Sequence, residues 1–190
     1  MKDGQTVAGI ALTVVVLAAS LLANPGRTDR TITVALPVLM MLFLTSWFWL
    51  VPRISPTVAS FGSTYRHLGL ASLGLLAYVH ILLLWSVRHP AVGVARALAG
   101  GVCVFMMLEG NVRGRVRRNG WIGLRTPWTL ADERVWNATH RMAGYLTVAA
   151  GALGLIASMA GWLLAVVWLP VAVVVASLFC SLIYARRLRT

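Results

Sequence analysis

The sequence has few acidic residues and few cysteines, and each scarcity excludes a class of function. Five Asp and Glu residues occur among 190, and the chain offers neither a pair of carboxylates for acid–base catalysis nor a nucleophile beside a base. We therefore predict that it is not an enzyme. The two cysteines, Cys103 and Cys180, have neither metal-binding nor redox spacing. They are expected to be structural thiols in apolar surroundings, and no metal or other cofactor is predicted.

Long stretches of the chain carry no charge, which excludes an ordinary soluble domain. The sequence is 59% hydrophobic and 12% charged, and a helix that crosses a membrane needs about 20 apolar residues. Three charge-free runs of that length occupy residues 4–26, 31–52 and 67–87. The runs are continuous rather than alternating, which favours helices over a β-barrel. The composition therefore predicts an all-α membrane protein.

The second half of the chain adds three further predicted spans. The fourth occupies residues 91–110 and has Arg96 near one end, so the arginine has to extend its side chain outward to water. From Met142 to Tyr184 no charge occurs, and such a run is about twice the thickness of the hydrocarbon core. We divide it into two spans near Gly161. The prediction is six transmembrane helices in two segments, residues 1–89 and 90–190.

Basic residues concentrate in alternate connections between the predicted spans, and this sets an orientation. The positive-inside rule assigns segments rich in Lys and Arg to the cytoplasm. Residues 53–66, residues 110–144 and both termini are such segments, whereas the connections at 24–30 and 88–96 are less basic. Both termini are therefore predicted to be cytoplasmic. The same arginines account for the net charge of +12 through contact with membrane lipids, and no nucleic-acid partner is expected because no nucleic-acid-binding module is visible.

The connection at residues 110–144 is polar, although it interrupts a mostly apolar chain. It holds seven of the seventeen Lys and Arg residues and three of the eight Trp. Arg125 lies between Trp121 and Trp128, where a guanidinium suits either a lipid phosphate or a carboxylate such as Glu109. We therefore expect an ordered cytoplasmic loop between helices four and five, seated on the membrane.

Turn and capping residues predict where a helix begins within this loop. Pro127 forces Thr126 out of the helical region. Thr129 stands three residues before Asp132, a spacing similar to that of a capping box, with acidic residues in the positive first turn. The pattern predicts a helix that begins at Leu130.

Two polar side chains fall within predicted spans and are candidate polar partners of a site. His80, in the third span, can hydrogen-bond to a neighbouring helix, and we weigh this packing role above proton relay or ligand contact. Glu109 ends the fourth span beside the arginines of the loop, and pairing with one of them is weighed above a role in ion coupling. No second acidic residue in a span accompanies Glu109, which weakens a proton-driven transporter.

One set of residues follows a recognisable order through the loop. Gly110-Asn111 is followed by Asn119, by Ile122-Gly123-Leu124-Arg125-Thr126-Pro127-Trp128-Thr129-Leu130, and by Val135-Trp136, Thr139-His140-Arg141 and Gly144. This order resembles the signature of the SdpI family of bacterial membrane proteins, in which GN, RPN, GIRTPWTL, VW, THR and G succeed one another. Arg118 departs from it, since the family usually has proline there, and Leu124 departs conservatively. A weaker resemblance extends to Leu36-Pro37 and to residues 52–56.

The resemblance implies immunity rather than catalysis. It implies a multi-pass protein of the bacterial cell membrane that protects cells from a secreted peptide toxin, which collapses the membrane potential, and that signals the toxin by holding a small repressor at the membrane. Gly123 and Pro127 are expected to shape a turn, whereas Arg125, Trp128 and His140 are open to either a shaping or a binding role. The implied functional residues are Asn111, Asn119, Gly123, Arg125, Thr126, Pro127, Trp128, Trp136, Thr139 and His140.

A transporter or lipid-handling protein is the alternative hypothesis. It rests on the Arg and Trp residues of the loop, with Glu109 and His80 nearby, and it predicts a hydrophilic cavity that opens to one leaflet and reaches those residues. Ala150, Gly154 and Ser158 lie four residues apart, which predicts close helix packing within the bundle or between protomers of a homo-oligomer.

Overall fold

The computed structural model describes residues 3–22, 30–91 and 93–188. Within these ranges every regular element is helical, as the composition predicts. Most of the connection at residues 24–30 lies outside the described residues, as do Lys2 and Arg189. The α-helices are α1 Asp3–Leu22, α2 Arg30–Thr45, α3 Val51–Ile54, α4 Gly62–Arg88, α5 Val94–Arg113, α6 Pro127–Ala131, α7 Glu133–Met159 and α8 Leu163–Arg187.

Five stretches of the described helices are long and apolar enough to cross a membrane. They match the predicted spans two to six, which makes the protein a helical, multi-pass membrane protein. The described apolar stretch of α1, Gly9–Ser20, is shorter, so the first predicted span stays a prediction. The five stretches are Ala35–Ile54, Gly62–Arg88, Val94–Arg113, Glu133–Met159 and Leu163–Arg187.

Helix α2 continues into α3 through a π-helical turn, Ser46–Leu50, because a proline follows. Pro52 has no amide hydrogen to donate to the preceding turn, and the N–H of Val51 donates to the carbonyl of Ser46, five residues back. The turn places the indole of Trp47 against the ring of Tyr65, with the two ring centroids 4.8 Å apart. The Trp47 indole N–H also donates to the Tyr65 carbonyl at 3.2 Å. Aromatic stacking therefore joins α2 to α4.

Helices α5 and α7 approach each other backbone to backbone. A Cβ atom added to Gly144 would lie 2.7 Å from the carbonyl oxygen of Gly110, and one added to Gly151 would lie 2.8 Å from the carbonyl oxygen of Cys103. A Cβ atom on Gly154 would lie 2.7 Å from the Cys103 sulfur. Of the predicted row of small residues on α7, Gly154 thus packs within the bundle, against the buried Cys103.

Candidate functional site

The connection between α5 and α7, residues 114–132, forms a folded cap on one end of the bundle. Its short helix, α6, is started by Thr126: the Thr126 N–H donates to Thr129 Oγ1 at 2.9 Å, and the Thr129 N–H donates to Thr126 Oγ1 at 3.3 Å. Pro127 occupies the first helical position, where its fixed φ and missing N–H are tolerated. The prediction that a Thr129–Asp132 capping box starts a helix at Leu130 is therefore wrong.

Asp132 ends α6 and separately begins α7. Its backbone is extended, and its carboxylate accepts a hydrogen bond from the Arg134 N–H at 2.7 Å. The Arg134 guanidinium donates to the same carboxylate at 3.2 Å and to the Leu188 carbonyl at 2.9 Å. The hydrogen bonds from Arg134 hold the pKa of Asp132 below its ordinary value. The carboxylate therefore stays ionised at the positive end of α7, and Arg134 joins that end to the end of α8.

Asn119 organises the first half of the cap. Its side-chain oxygen accepts hydrogen bonds from the N–H groups of Trp121 and Ile122 at 2.8 and 2.7 Å. Its side-chain nitrogen donates to the carbonyls of Arg117 and Ile122 at 2.7 and 3.2 Å. The side chain is buried, and these partners all belong to the cap backbone. Asn119 therefore fixes the turn.

His140 holds the second half of the cap against α7. Its Nε2 accepts a hydrogen bond from the N–H of Leu124 at 2.9 Å, so Nδ1 carries the hydrogen and donates to the Trp136 carbonyl at 2.9 Å. The ring is buried and stacks on the Trp136 indole, with centroids 3.9 Å apart. This network needs a neutral imidazole. Gly123, with φ of +104°, packs so closely that an added Cβ atom would overlap His140 Nε2.

Two tryptophans attach the cap to the bundle through their indole N–H groups. Trp136 is fully buried and donates to the carbonyl of Val116 at 2.7 Å. Trp128 is half-buried and donates to Ser181 Oγ on α8 at 2.9 Å. Sequence reasoning missed Ser181, although Ser177 and Ser181 lie four residues apart in an otherwise apolar run and thus mark one polar edge of α8. These two hydrogen bonds join the cap to α7 and to α8.

The comparisons with known proteins fall on this region. Residues 115–185, which contain most of the cap together with α7 and most of α8, match the model of the SdpI/YfhL protein family. In this region the chain is similar to the SdpI family. The Immunity protein SdpI of Bacillus subtilis (strain 168) is 33% identical to it over 120 residues, which cover 61% of this chain and 55% of that protein. The chain thus spans about half the length of the curated relative that it matches. No solved structure matches the chain.

The residues of the SdpI-family signature, which lie in the cap and on the adjoining ends of α5 and α7, divide into buried and accessible ones. Asn119, Thr129, Trp136, Thr139 and His140 are buried. Of these, Thr139 has a hydroxyl without a hydrogen-bond partner in the described part of the chain. The accessible ones are Asn111, Gly123, Arg125, Pro127 and, in part, Thr126 and Trp128.

Arg125 and Glu109 do not pair. The Glu109 carboxylate instead takes two hydrogen bonds, each 2.9 Å long, from the guanidinium of Arg113 one turn along α5. This agrees with the expected pairing of Glu109 with an arginine of the loop. The guanidinium of Arg125 donates to the carbonyl of Gly120 and is exposed. Arg125 therefore stabilises the turn at Gly120 and at the same time exposes part of its side chain at the surface of the cap.

His80 lies away from the cap. Tyr65 packs in the same buried cluster as Trp136, and His80 is fifteen residues further along α4, a rise of about 22 Å. The Nε2 atom of His80 lies 2.6 Å from Ser20 Oγ on α1, while its Nδ1 atom has no partner among the described residues. The hydrogen bond joins α1 to α4, in agreement with the packing role that we weigh higher for it.

A crevice of about 530 Å³ opens between the cap and α8. The SdpI-family residues Pro127 and Trp128 form one wall, and Leu182, Ala185 and Arg186 form the other. The crevice therefore combines an aromatic wall, an apolar wall and a cationic edge. The α8 residues in it were not predicted, because no spacing in the sequence relates them to the loop.

Proposed function

We propose that this chain is an SdpI-like immunity protein that protects a bacterial cell membrane from a membrane-active peptide toxin. The observation that carries the proposal is its 33% identity with the Immunity protein SdpI over 120 residues. The structure supports it, because the family residues form one ordered cap rather than a loose loop. The immunity of that relative is the activity we assign to this chain.

We infer further that the cap faces the cytoplasm and binds a small repressor there. Arginines concentrate at the cap end, and the positive-inside rule places such an end in the cytoplasm. The crevice beside Trp128 and Arg186 offers an aromatic, apolar and cationic surface, which suits a partner with an apolar side chain and an adjacent carboxylate. The buried residues of the cap hold this surface in shape.

The immunity proposal is tested by expressing the chain in a sensitive bacterium and adding the purified toxin peptide. The membrane potential, followed with a voltage-sensitive dye, is expected to persist in expressing cells and to collapse in cells that carry an empty vector. The Arg125→Ala variant tests the exposed cap, with Arg117→Ala, also exposed on the cap, as its control. Membrane insertion is measured for every variant. Collapse of the potential in cells with correctly inserted wild-type chain would refute immunity.

The orientation is tested by labelling engineered cysteines in intact cells. A membrane-impermeant thiol reagent is expected to label Trp162→Cys, in the exposed turn between α7 and α8, and to leave Arg117→Cys unlabelled until the cells are opened. The reverse pattern would place the cap outside and remove the repressor surface. The alternative of a transporter gains no support from the described residues, because a cavity of about 700 Å³ between α4 and α5 is mostly apolar and is lined by neither Glu109 nor His80.

A further inference from the structure

A groove of about 700 Å³ runs between α4 and α5, with α7 at its edge. Gly74 on α4 lines it without a side chain, and a Cβ atom added there would meet nothing within 4 Å. The ring of Tyr78 packs closely against Gly101 of α5, and its hydroxyl donates to the Ala97 carbonyl at 2.7 Å. The walls are otherwise mostly aliphatic, including Val104. The groove is therefore an apolar channel along the bundle.

The groove has a cation at one end. Arg96 lines it there, is exposed, and lies near the start of α5. Its guanidinium lies against Gly161, in the turn between α7 and α8, since a Cβ atom added to Gly161 would be 2.9 Å from one of its nitrogens. In the described part of the chain the ion pairs join Glu109 to Arg113 and Asp132 to Arg134. Arg96 thus presents its charge at the groove mouth, on the end of the bundle opposite the cap.

The length of the groove distinguishes between candidate occupants. From Arg96 to Leu108, which lines the far end, the helix rises by about 18 Å. One leaflet contributes about half of the hydrocarbon core of roughly 30 Å. A peptide that crosses the membrane needs the whole thickness, whereas an acyl chain of one leaflet, with its phosphate at the guanidinium, fits both the length and the charge.

We propose that this groove binds one acyl chain of an anionic phospholipid and that Arg96 holds the phosphate, in the leaflet opposite the cap. The site is separate from the cap and does not rest on the proposed immunity. It gives the chain a fixed lipid contact between α4 and α5, the helices that connect its two halves.

The test uses the full chain in vesicles of phosphatidylglycerol and phosphatidylcholine that contain photoreactive phosphatidylglycerol. Mass spectrometry of the labelled protein is expected to place the label on α4 and α5 along the groove. Arg96→Gln should lower that labelling about five-fold, the effect of losing one cation near a phosphate. Gly74→Phe should also lower it, because the ring occupies the channel. Arg88→Gln is the matched control, since Arg88 is exposed at the same end but does not line the groove.

A second variant and a measurement of folding separate loss of lipid binding from loss of the fold. Gly74→Leu provides a smaller filling if the phenylalanine variant does not fold, and helix content by circular dichroism identifies such failure. Labelling that is unchanged in Arg96→Gln and in both Gly74 variants would overturn the proposal, as would equal labelling by a photoreactive phosphatidylcholine. Crosslinks between two chains through the groove would assign it to a second copy and overturn it as well. The toxin-protection assay is independent of these outcomes.

Discussion

The two halves of the molecule are both helical, but the helices within each half are held together by different contacts. In residues 3–88 the helices meet through aromatic stacking, as between Trp47 and Tyr65, and through the contact of His80 with Ser20. In residues 94–188 α5 and α7 touch at glycines, and polar side chains bind the cap backbone. Stacked rings can be any of the aromatic residues, whereas a contact between two helix backbones tolerates only small residues. The family match falls on the second half.

The largest loss of stability is expected for Gly123→Ala, in the second half. We expect a loss of about 3 kcal/mol in the free energy of unfolding, because an alanine at this positive φ is strained and its Cβ atom would overlap the His140 ring. The measurement is unfolding in mixed micelles followed by tryptophan fluorescence.

The matched control is Gly120→Ala, in the same cap. A Cβ atom at Gly120 meets nothing within 4 Å, so this variant should unfold like the wild-type chain. If both variants lost the same stability, the cap would not depend on the Gly123–His140 contact.

The second prediction concerns the glycine contact between α5 and α7. Gly144→Ala should cost about 2 kcal/mol, because the new methyl group would press on the backbone carbonyl of Gly110, which cannot rotate away. Gly100→Ala is its control on α5, since a Cβ atom there makes ordinary contacts at 3.7 and 3.8 Å. The same unfolding measurement applies. Equal stability of the two variants would mean that the backbone contact between Gly144 and Gly110 does not limit the packing of α5 against α7.

Much of the fold could be predicted from the sequence, because membrane helices follow from length and charge alone. Charge-free runs predicted four of the five apolar helices, and the fifth is the span that holds Arg96. Arginines such as Arg88 and Arg113 fall at helix ends. The helix start in the cap was misplaced, because two threonines three residues apart can cap as well as Thr129 with Asp132. Pro127 favours the pair of threonines as the cap, because proline suits the first helical position.

The candidate site could be predicted as a set of residues but not as a geometry. The family resemblance identifies His140 and Gly123, yet their contact joins positions far apart in sequence, which no local pattern encodes. Contacts between the cap and α8 are equally invisible, since Ser181 belongs to an apolar run whose register relative to Trp128 depends on how α7 and α8 pack. These contacts therefore depend on how the helices pack, which the periodicity of the sequence does not predict.

A third prediction tests the link between the cap and α8. Trp128→Phe should cost about 1 kcal/mol, because it removes the indole N–H that donates to Ser181 Oγ while keeping an aromatic ring. Ser181→Ala should lose a similar amount, and the double variant should lose little more than either single one. Fully additive losses in this cycle would show that the two side chains do not interact.

The smallest effect is expected for an interaction that is local to one helix, in contrast to the contacts between elements described above. Glu109→Gln should cost about 0.3–0.5 kcal/mol, since the Glu109–Arg113 pair spans one turn of α5 and both side chains are partly exposed. Added salt should lower the free energy of unfolding of the wild-type chain towards that of the variant, and it should leave that of the variant unchanged. Arg141→Gln, on an exposed arginine of α7, controls for the general effect of removing charge. A loss of several kcal/mol, insensitive to salt, would instead make the Glu109 pair part of the packing between α5 and α7, and the contrast between local and tertiary contacts in this half would fail.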